Sequence, residues 1–202
     1  MVRETQHNID EFVSFAKEIL QQAGSIAMQH YGKGREGTRF DEDLLTEAEL
    51  KINEYFEATL TARYPEHRIF WNDRQQTEYS HGENRYLWVF DSIDGADNFQ
   101  AGIPIWGTSL ALLENFWPVL GMFLMPATGD FFHARAGGTA FRGEQQIHIS
   151  QRETIDNESL LFTYSRFHHH YKSHFPGKHR DLGCAAAHVC YIAMGRGDAA
   201  VI

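Results

Sequence analysis

The chain is 202 residues long, with 43% hydrophobic and 22% charged residues and a formal net charge of −9 at pH 7. This length makes one large domain or two small ones, with enough chain to bury a core. The acidic balance argues against nucleic acid or an anionic membrane as the main partner, because both need a basic protein face.

Apolar residues at helical spacing predict two helices near the start of the chain. The first run covers 9–27, and the second covers 50–62 and is stopped by Pro65. Thr46, followed three residues later by Glu49, predicts a capping box at the start of the second helix. After these two helices the helical spacing of apolar residues ends.

Short β-like runs begin after the second helix, and turn residues separate them. A third helix is predicted over 185–194, and the last residues of the chain again have strand character. We therefore expect an α+β fold with layered helices and sheet, divided into domains at 1–140 and 141–202. The runs that predict an antiparallel meander are 68–71, 86–90, 108–113, 119–125 and 131–134.

The two cysteines, Cys184 and Cys190, lie in an alanine-rich stretch. Two cysteines do not make a disulfide framework in a chain of this length, and their spacing is not a common metal-binding pattern. We expect both to be reduced and partly buried in a cytoplasmic protein. The polar N-terminus predicts no signal peptide, and no apolar run reaches the ~20 residues that span a bilayer.

The segment 88–104, WVFDSIDGADNFQAGIP, carries the most informative pattern. An apolar strand is expected to place Asp91 at its carboxyl end, and the following turn presents Asp94. Carboxylates placed in this way, with backbone carbonyls and water, suit Mg²⁺. Gly95 allows close backbone approach, and the N–H groups after it form an anion site if they open a helix. A bare Asp-x-x-Asp pair is more often a turn, so the assignment depends on the longer pattern.

The longer pattern strongly resembles the signature of the inositol monophosphatase superfamily. Four further elements resemble that family in the same order. The resemblance implies alternating helix and sheet layers of the inositol monophosphatase and fructose-1,6-bisphosphatase type, and a homodimer. It also implies an Mg²⁺-dependent site for a small phosphorylated molecule, at which metal-activated water attacks a phosphate monoester. The four elements are DLLTEA at 43–48, YPEHRIF at 64–70, GTAFRG at 138–143, and GCAA with YIAMGRGDA within 183–199.

The resemblance carries functional roles over to individual residues. Asp91, Asp94 and the carbonyl of Ile93 match metal ligands, and Asp73 would have to replace a lost glutamate ligand. Asp43 matches a carboxylate that helps to orient the attacking water. The positions that match segments close to the substrate phosphate are Gly95, Ala96, Gly183, Cys184 and Ala185.

Three departures from the family pattern weaken the implied chemistry. Asn72 stands where a metal-binding glutamate is expected, and an amide oxygen brings no charge to a hard dication. Ala96 replaces a threonine whose hydroxyl pairs with the Asp43 position. The sequence given stops at Ile202, before a substrate-binding glutamate and a metal-binding aspartate of the family, so we expect an incomplete C-terminal part. We expect one weak Mg²⁺ site.

Two hypotheses stay open from the sequence. One is a divergent phosphatase that still hydrolyses a small phosphate monoester with Mg²⁺, and the other is a non-catalytic subunit or a metal- or phosphate-binding protein. The departures favour the second hypothesis. The histidines of 168–174 are expected in a solvated loop, because no cysteine or acidic ligand accompanies them at a recognised spacing.

Overall fold

The computed structural model describes residues 2–34, 40–71 and 85–202. Within these ranges the chain forms separate helices and two sheets, which confirms the predicted α+β class. None of the helices in this described part is both long and apolar enough to cross a lipid bilayer.

Two long helices come first, α1 over Val2–Met28 and α2 over Glu42–Arg63. Both predicted helical runs are confirmed, and both helices extend beyond the predicted limits. Apolar residues recur every three or four positions, so each helix turns one face toward the core. The residues of this shared face that are fully buried include Ala16, Ile19, Leu20, Ala23, Ile52 and Phe56.

The start of α2 differs from the prediction. Asp41 is the N-cap residue, and its side chain accepts a hydrogen bond from the Leu44 N–H at 3.2 Å. The predicted cap at Thr46 is wrong, since its hydroxyl donates to the Glu42 carbonyl inside the helix at 2.8 Å. Aspartate is as good an N-cap as threonine, and the acidic residues that follow it suit the positive end of the helix dipole.

The main sheet follows chain order from β1 to β7 among the described residues. The strand pairs from β2 onward are antiparallel, which confirms the predicted meander. The first pair, β1 with β2, is parallel, so the antiparallel prediction was wrong for β1. The strands are β1 Arg68–Trp71, β2 Tyr86–Asp94, β3 Gly107–Glu114, β4 Trp117–Met125, β5 Asp130–Arg135, β6 Ala140–Arg142 and β7 Gln145–Gln146.

A second sheet and three shorter helices complete the described structure. The sheet has the order β10-β8-β9, and its strands are parallel. The predicted third helix is confirmed as α5. The strands are β8 Leu160–Thr163, β9 Lys178–Arg180 and β10 Ala199–Val201, and the helices are α3 Ala96–Ala101, α4 Phe167–His170 and α5 Ala185–Ala193.

The main sheet is covered on both faces. Alternate residues of β4 point to opposite sides, as in any pleated strand. Leu120 and Met122 join the core formed with α1 and α2, whereas Phe123 and Met125 join a second cluster with Ala187 of α5. The sheet therefore separates α1 and α2 from α5.

The second sheet lies on the far side of α5. His188 of α5 stacks on Phe162 of β8, with 5.2 Å between ring centroids and 9° between ring planes. The order of layers is helices, main sheet, α5, second sheet, which confirms the predicted layered α/β/α/β arrangement. The division into domains at 1–140 and 141–202 stays a prediction.

Candidate functional site

The two predicted metal-binding aspartates both belong to β2. Asp91, predicted at the end of the strand, lies inside it, and Asp94, predicted in the following turn, is its last residue. β2 pairs regularly with β3 as far as Asp91, opposite Ser109, and the register shifts before Asp94, opposite Gly107. The buried hydroxyl of Thr108 donates to the carbonyl of Ser92 at 2.9 Å and holds this irregular segment. Such an irregularity redirects side chains at the end of a strand.

Gly95 joins β2 to α3 and occupies a crowded position. Its φ of +89° is unfavourable for any residue with a side chain. A Cβ atom there would lie 3.0 Å from the carbonyl oxygen of Ile105 and 3.1 Å from Cβ of Cys184. The close approach brings the start of α3 against the residues that precede α5.

Asn98 fixes this approach from the side of α3. Its side-chain amide donates to the carbonyl of Ile105 at 2.6 Å and to the carbonyl of Leu182 at 2.7 Å. Asn98 itself is buried, so the two hydrogen bonds also satisfy an amide group that has little contact with water. The sequence pattern contained Asn98, but its positioning role was not predicted.

Asp94 reaches the start of α5. One carboxylate oxygen accepts from the Ala185 N–H at 3.2 Å, and the other accepts from the Ala186 N–H at 2.5 Å. The first N–H groups of a helix have no partner within the helix and favour negative charge. Asp94 therefore stabilises the N-terminal end of α5. This end includes Ala185, one of the positions that the family resemblance places close to the substrate phosphate.

The loop between β9 and α5 is held by two further side chains. Asp181 accepts from the Gly183 N–H at 2.8 Å and from the hydroxyl of Ser165 at 2.7 Å. Nε2 of His188 accepts from the Leu182 N–H at 3.0 Å. The neutral ring that accepts at Nε2 carries its hydrogen on Nδ1, and that atom has no hydrogen-bond partner among the described residues.

His188 is almost fully buried, at 2% exposure. Burial lowers the pKa of this histidine from its ordinary value, and the carboxylates of Asp181 and Asp94 oppose the shift. A neutral ring is also what the hydrogen bond from Leu182 requires. Neither His188 nor Asp181 was predicted as a site residue, because both depend on contacts that sequence spacing does not show.

These elements surround one cavity of about 650 Å³. The cavity is lined by the start of α3, the loop before α5 and the residues that follow β8 and β9. Its lining includes the carboxylate of Asp181 and the hydroxyl of Ser165, next to segments of backbone. The structure brings together here all five positions that the sequence matched to phosphate, which are Gly95, Ala96, Gly183, Cys184 and Ala185.

The other predicted site residues are not brought to this cavity. Asp91 lines a separate, mainly apolar cavity of about 420 Å³ between the main sheet and α5. Asp43 is exposed in the first turn of α2. Asn72 and Asp73 lie outside the described residues. Within the described ranges, no three His, Cys, Asp or Glu side chains are grouped so that they could hold a metal ion.

The cysteines are free, as predicted, with Cys184 buried and Cys190 partly buried. Burial raises the pKa of the Cys190 thiol to about 12 and raises that of Cys184 strongly as well, with the carboxylate of Asp94 adding to both shifts. These shifts favour the protonated thiols near neutral pH, which argues against either cysteine as a nucleophile.

The histidine cluster is exposed, as predicted. His168, His169 and His170 form the short helix α4, and His174 follows in an exposed loop. The predicted loop conformation was therefore wrong for the first three histidines, although the predicted solvation is confirmed. No group of three metal-ligating side chains occurs here within the described part of the chain.

Comparison with known proteins gives matches over almost the whole chain. A model of the inositol monophosphatase family matches residues 8–202. Inositol monophosphatase 2 of Saccharomyces cerevisiae is 30% identical over 176 residues, which cover 78% of this chain and 60% of the yeast protein. Histidinol-phosphatase of Chlorobaculum parvum is 24% identical over 199 residues, covering 94% and 75%. This chain thus spans about three fifths of the length of the yeast relative.

Solved structures share the fold. An IMPase of Thermotoga maritima superimposes with a TM-score of 0.78 at 24% identity, covering 93% of this chain and 74% of that chain. Inositol monophosphatase II of Staphylococcus aureus MSSA476 gives a TM-score of 0.79 at 20% identity, covering 95% and 75%. At these identities the likeness concerns the arrangement of helices and strands.

Proposed function

Because residues 8–202 match its model, the chain belongs to the inositol monophosphatase family, and we propose that it binds small phosphate monoesters together with Mg²⁺ and hydrolyses them only near the background rate. The observation that carries the proposal is the single cavity lined by Gly95, Ala96 and 183–185. Backbone N–H groups bind phosphate without any particular side chain, so those of Gly95 and Ala96 keep that capacity.

The oxygen atoms at the end of β2 are of the kind that Mg²⁺ prefers. Family members generally use Mg²⁺, and Asp91, Asp94 and the Ile93 carbonyl are the described residues that would hold it. When bound, Mg²⁺ offsets the charge of a phosphate and polarises water. Two carboxylates fit one weak site, with water in the remaining positions. Asp73, predicted as a further ligand, lies outside the described residues.

Asp94 links cation binding to phosphate binding in this proposal. Its carboxylate lies on the N–H groups of Ala185 and Ala186, which an anion at the start of α5 would also need. Its negative charge, with that of Asp97 in the cavity lining, repels an anion at the start of α5. Phosphate binding is therefore expected only when a divalent cation offsets these charges.

Ala96 is the reason for proposing slow hydrolysis. It opens α3 and lines the cavity, but its methyl group can neither donate nor accept a hydrogen bond. The family pattern pairs a threonine hydroxyl at position 96 with the carboxylate at position 43 to orient the attacking water, and Ala96 removes that hydroxyl. A water held by one polar group rather than two is poorly oriented for attack, and loss of such a contact commonly costs ~10²-fold or more in rate.

The direct test is a phosphatase assay with inositol 1-phosphate and p-nitrophenyl phosphate in millimolar Mg²⁺, with a matched sample in EDTA. We expect rates near the EDTA background for both esters. Substantial Mg²⁺-dependent hydrolysis would favour the second candidate function, a divergent phosphatase. The observation that supports this candidate is the presence of both Asp91 and Asp94 in β2.

We also propose a homodimer, as the family resemblance implies. Light scattering at high protein concentration is expected to give twice the mass of the chain, and the mass of one chain would contradict the proposal.

A further inference from the structure

We propose that Thr108 is a positioning residue for the cation site at the end of β2. Its buried hydroxyl fixes the backbone between Asp91 and Asp94, so that the oxygen donors of this segment can hold a divalent cation together. This inference rests on the proposed function, because it deepens the account of the same site. The sequence pattern that resembles the family gave Thr108 no role.

The end of β2 contains one residue more than the strand beside it. The last regular pair joins Asp91 to Ser109. Pairing resumes between Asp94 and Gly107, so three steps along β2 are matched by two steps along β3. An extra residue of this kind interrupts the ladder of backbone hydrogen bonds and bends the strand. The backbone between the two pairs therefore needs a contact of another kind.

Thr108 supplies this contact. It is the residue of β3 between the two paired positions, and its hydroxyl donates to the carbonyl of Ser92 at 2.9 Å. Both residues are buried, and a buried backbone carbonyl is nearly always paired, because the loss of its partner is costly. The hydroxyl therefore favours one orientation of the peptide group that follows Ser92.

Thr108 itself is held in place by its own strand. β3 is an inner strand of the main sheet, and Thr108 pairs with Leu124 of β4 on the other side. A Cβ atom on the preceding Gly107 would clash with the carbonyl oxygen of Leu124, so β3 and β4 approach closely here. The branched side chain of threonine also has few χ1 rotamers. The donor is therefore held rigidly before any cation binds.

The three proposed cation ligands lie on both sides of the held peptide group. Asp91 precedes it, and the Ile93 carbonyl and Asp94 follow it. Because a peptide group is planar, its rotation would turn the backbone on both sides and move these donors relative to one another. Mg²⁺ requires nearly ideal octahedral geometry, whereas Ca²⁺ accepts more flexible arrangements of oxygen ligands. Loss of the hydroxyl should therefore weaken binding of Mg²⁺ more than binding of Ca²⁺.

Thr108→Val tests the role of the hydroxyl, because valine keeps the branched shape but cannot donate. Binding of Mn²⁺, which like Mg²⁺ suits octahedral oxygen ligands, is followed by EPR, with Mg²⁺ and Ca²⁺ added as competitors. We expect the affinity for Mn²⁺ and Mg²⁺ to fall about tenfold, an effect typical of residues that orient metal ligands. The affinity for Ca²⁺ should change by less than about twofold.

Further variants grade the donor and control for stability. Thr108→Ser keeps the hydroxyl and should bind Mn²⁺ nearly as the unmodified protein does, and Thr108→Cys, with a weak donor, should lie between the serine and valine variants. Thr163→Val makes the same change at a buried threonine of β8 and should leave the Mn²⁺ affinity unchanged. Urea denaturation identifies the variants that fold. If Thr108→Val does not fold, the comparison of Thr108→Ser with Thr108→Cys decides the question.

Three results would overturn the inference. The first is an unchanged Mn²⁺ affinity in folded Thr108→Val, and the second is an equal affinity in Thr108→Ser and Thr108→Cys. The third is equal weakening of Mg²⁺ and Ca²⁺, because it would show general disruption of the strand end rather than a loss of ligand geometry.

Calorimetry with inorganic phosphate separates this inference from the proposed function. Cation binding that depends on Thr108, without phosphate binding in Mg²⁺, would keep the inference and reject the proposed phosphate site. Cation binding that is indifferent to Thr108, together with Mg²⁺-dependent phosphate binding, would keep the proposed function and reject the inference. No binding of Mn²⁺ or Mg²⁺ by the unmodified protein would reject both.

Discussion

Asp94 is the residue at which helix stability and ligand binding meet. Its two oxygens accept from the first N–H groups of α5 at 3.2 and 2.5 Å, so it acts as a cap supplied from a distant part of the chain. The same carboxylate is a proposed ligand of Mg²⁺. Substitution of Asp94 should therefore alter both the stability of the fold and the affinity for the cation.

Asp94→Asn is expected to lower the free energy of unfolding by about 0.5–2 kcal/mol, because an amide offers one acceptor oxygen and no charge to the helix end. It should also abolish measurable Mg²⁺ binding. Urea denaturation and calorimetric titration with Mg²⁺ measure the two effects. The control is Asp97→Asn, an exposed residue of α3, which should change stability by less than ~0.5 kcal/mol. Equal stability losses in both variants would contradict the cap.

His188 makes the loop before α5 sensitive to pH. Burial lowers its pKa in the folded protein, so the folded ring stays neutral at a pH where the unfolded chain takes up a proton. The stability that depends on the neutral ring is then fully present above about pH 6.5 and is lost as the pH falls toward the folded pKa. Protonation would also place two N–H donors against each other at Leu182.

We therefore expect the free energy of unfolding to fall as the pH is lowered below about 6.5, measured by urea denaturation in a series of buffers. His188→Gln retains an acceptor near the Leu182 N–H but cannot take up a proton, so its profile should be flatter. Some slope should remain, because burial also lowers the pKa of His67, which accepts from Nε1 of Trp88 at 2.9 Å. Parallel profiles for the two proteins would rule out His188 as a source.

At the scale of elements, the junction of β2, α3 and α5 depends on the backbone of Gly95. Its φ is +89°, and a Cβ atom on this residue would lie 3.0 Å from the carbonyl oxygen of Ile105 and 3.1 Å from Cβ of Cys184, so these neighbours would have to shift to admit a methyl group. The chain can place α3 beside the loop before α5 only because this residue has no side chain.

Gly95→Ala is expected to lower the free energy of unfolding by about 1–3 kcal/mol, since it adds a steric conflict to a strained backbone. Gly129→Ala is the matched control, because Gly129 has a φ of +75° and open space around its Cβ position. The Gly129 variant should lose less, since it has the backbone strain alone. Thermal or urea unfolding that ranks the two variants in the opposite order would contradict the packing at Gly95.

Helices and antiparallel strands were predicted well because their apolar periods appear directly in the sequence. Predicted ends were less accurate. The start of α2 was placed at Thr46 because Glu49 follows it in a capping-box pattern. The contact of Asp41 with the Leu44 N–H shows that the helix begins earlier. β2 was ended at Phe90 because the residues after it are polar, yet the strand continues to Asp94.

The second sheet was largely missed. β8 and β9 are four and three residues long, which is too short for a reliable period, and parallel pairing joins segments far apart in the chain. Only the strand character of the last residues was predicted. Ser165 and Asp181 follow these two short strands, so their juxtaposition could not be predicted without the sheet.

For the molecule as a whole, the candidate site depends on contacts between distant parts of the chain. The sequence pattern predicted five positions in contact with phosphate, and the fold brings these positions to one cavity. The pattern did not show that Asp94 contacts Ala185 and Ala186, which lie about 90 positions later in the chain. Nor did it show that Asp91 lines a different cavity. Such long-range contacts come from the layered packing and not from local spacing.

The central claim is that this cavity binds phosphate only with a divalent cation and without appreciable hydrolysis. Calorimetric titration of inorganic phosphate into the unmodified protein, with Mg²⁺ and with EDTA in matched buffers, tests it most directly. We predict binding in Mg²⁺ and none in EDTA, because the uncompensated carboxylates of Asp94 and Asp97 repel the anion. Equal binding in EDTA, or no binding in saturating Mg²⁺, would contradict the account.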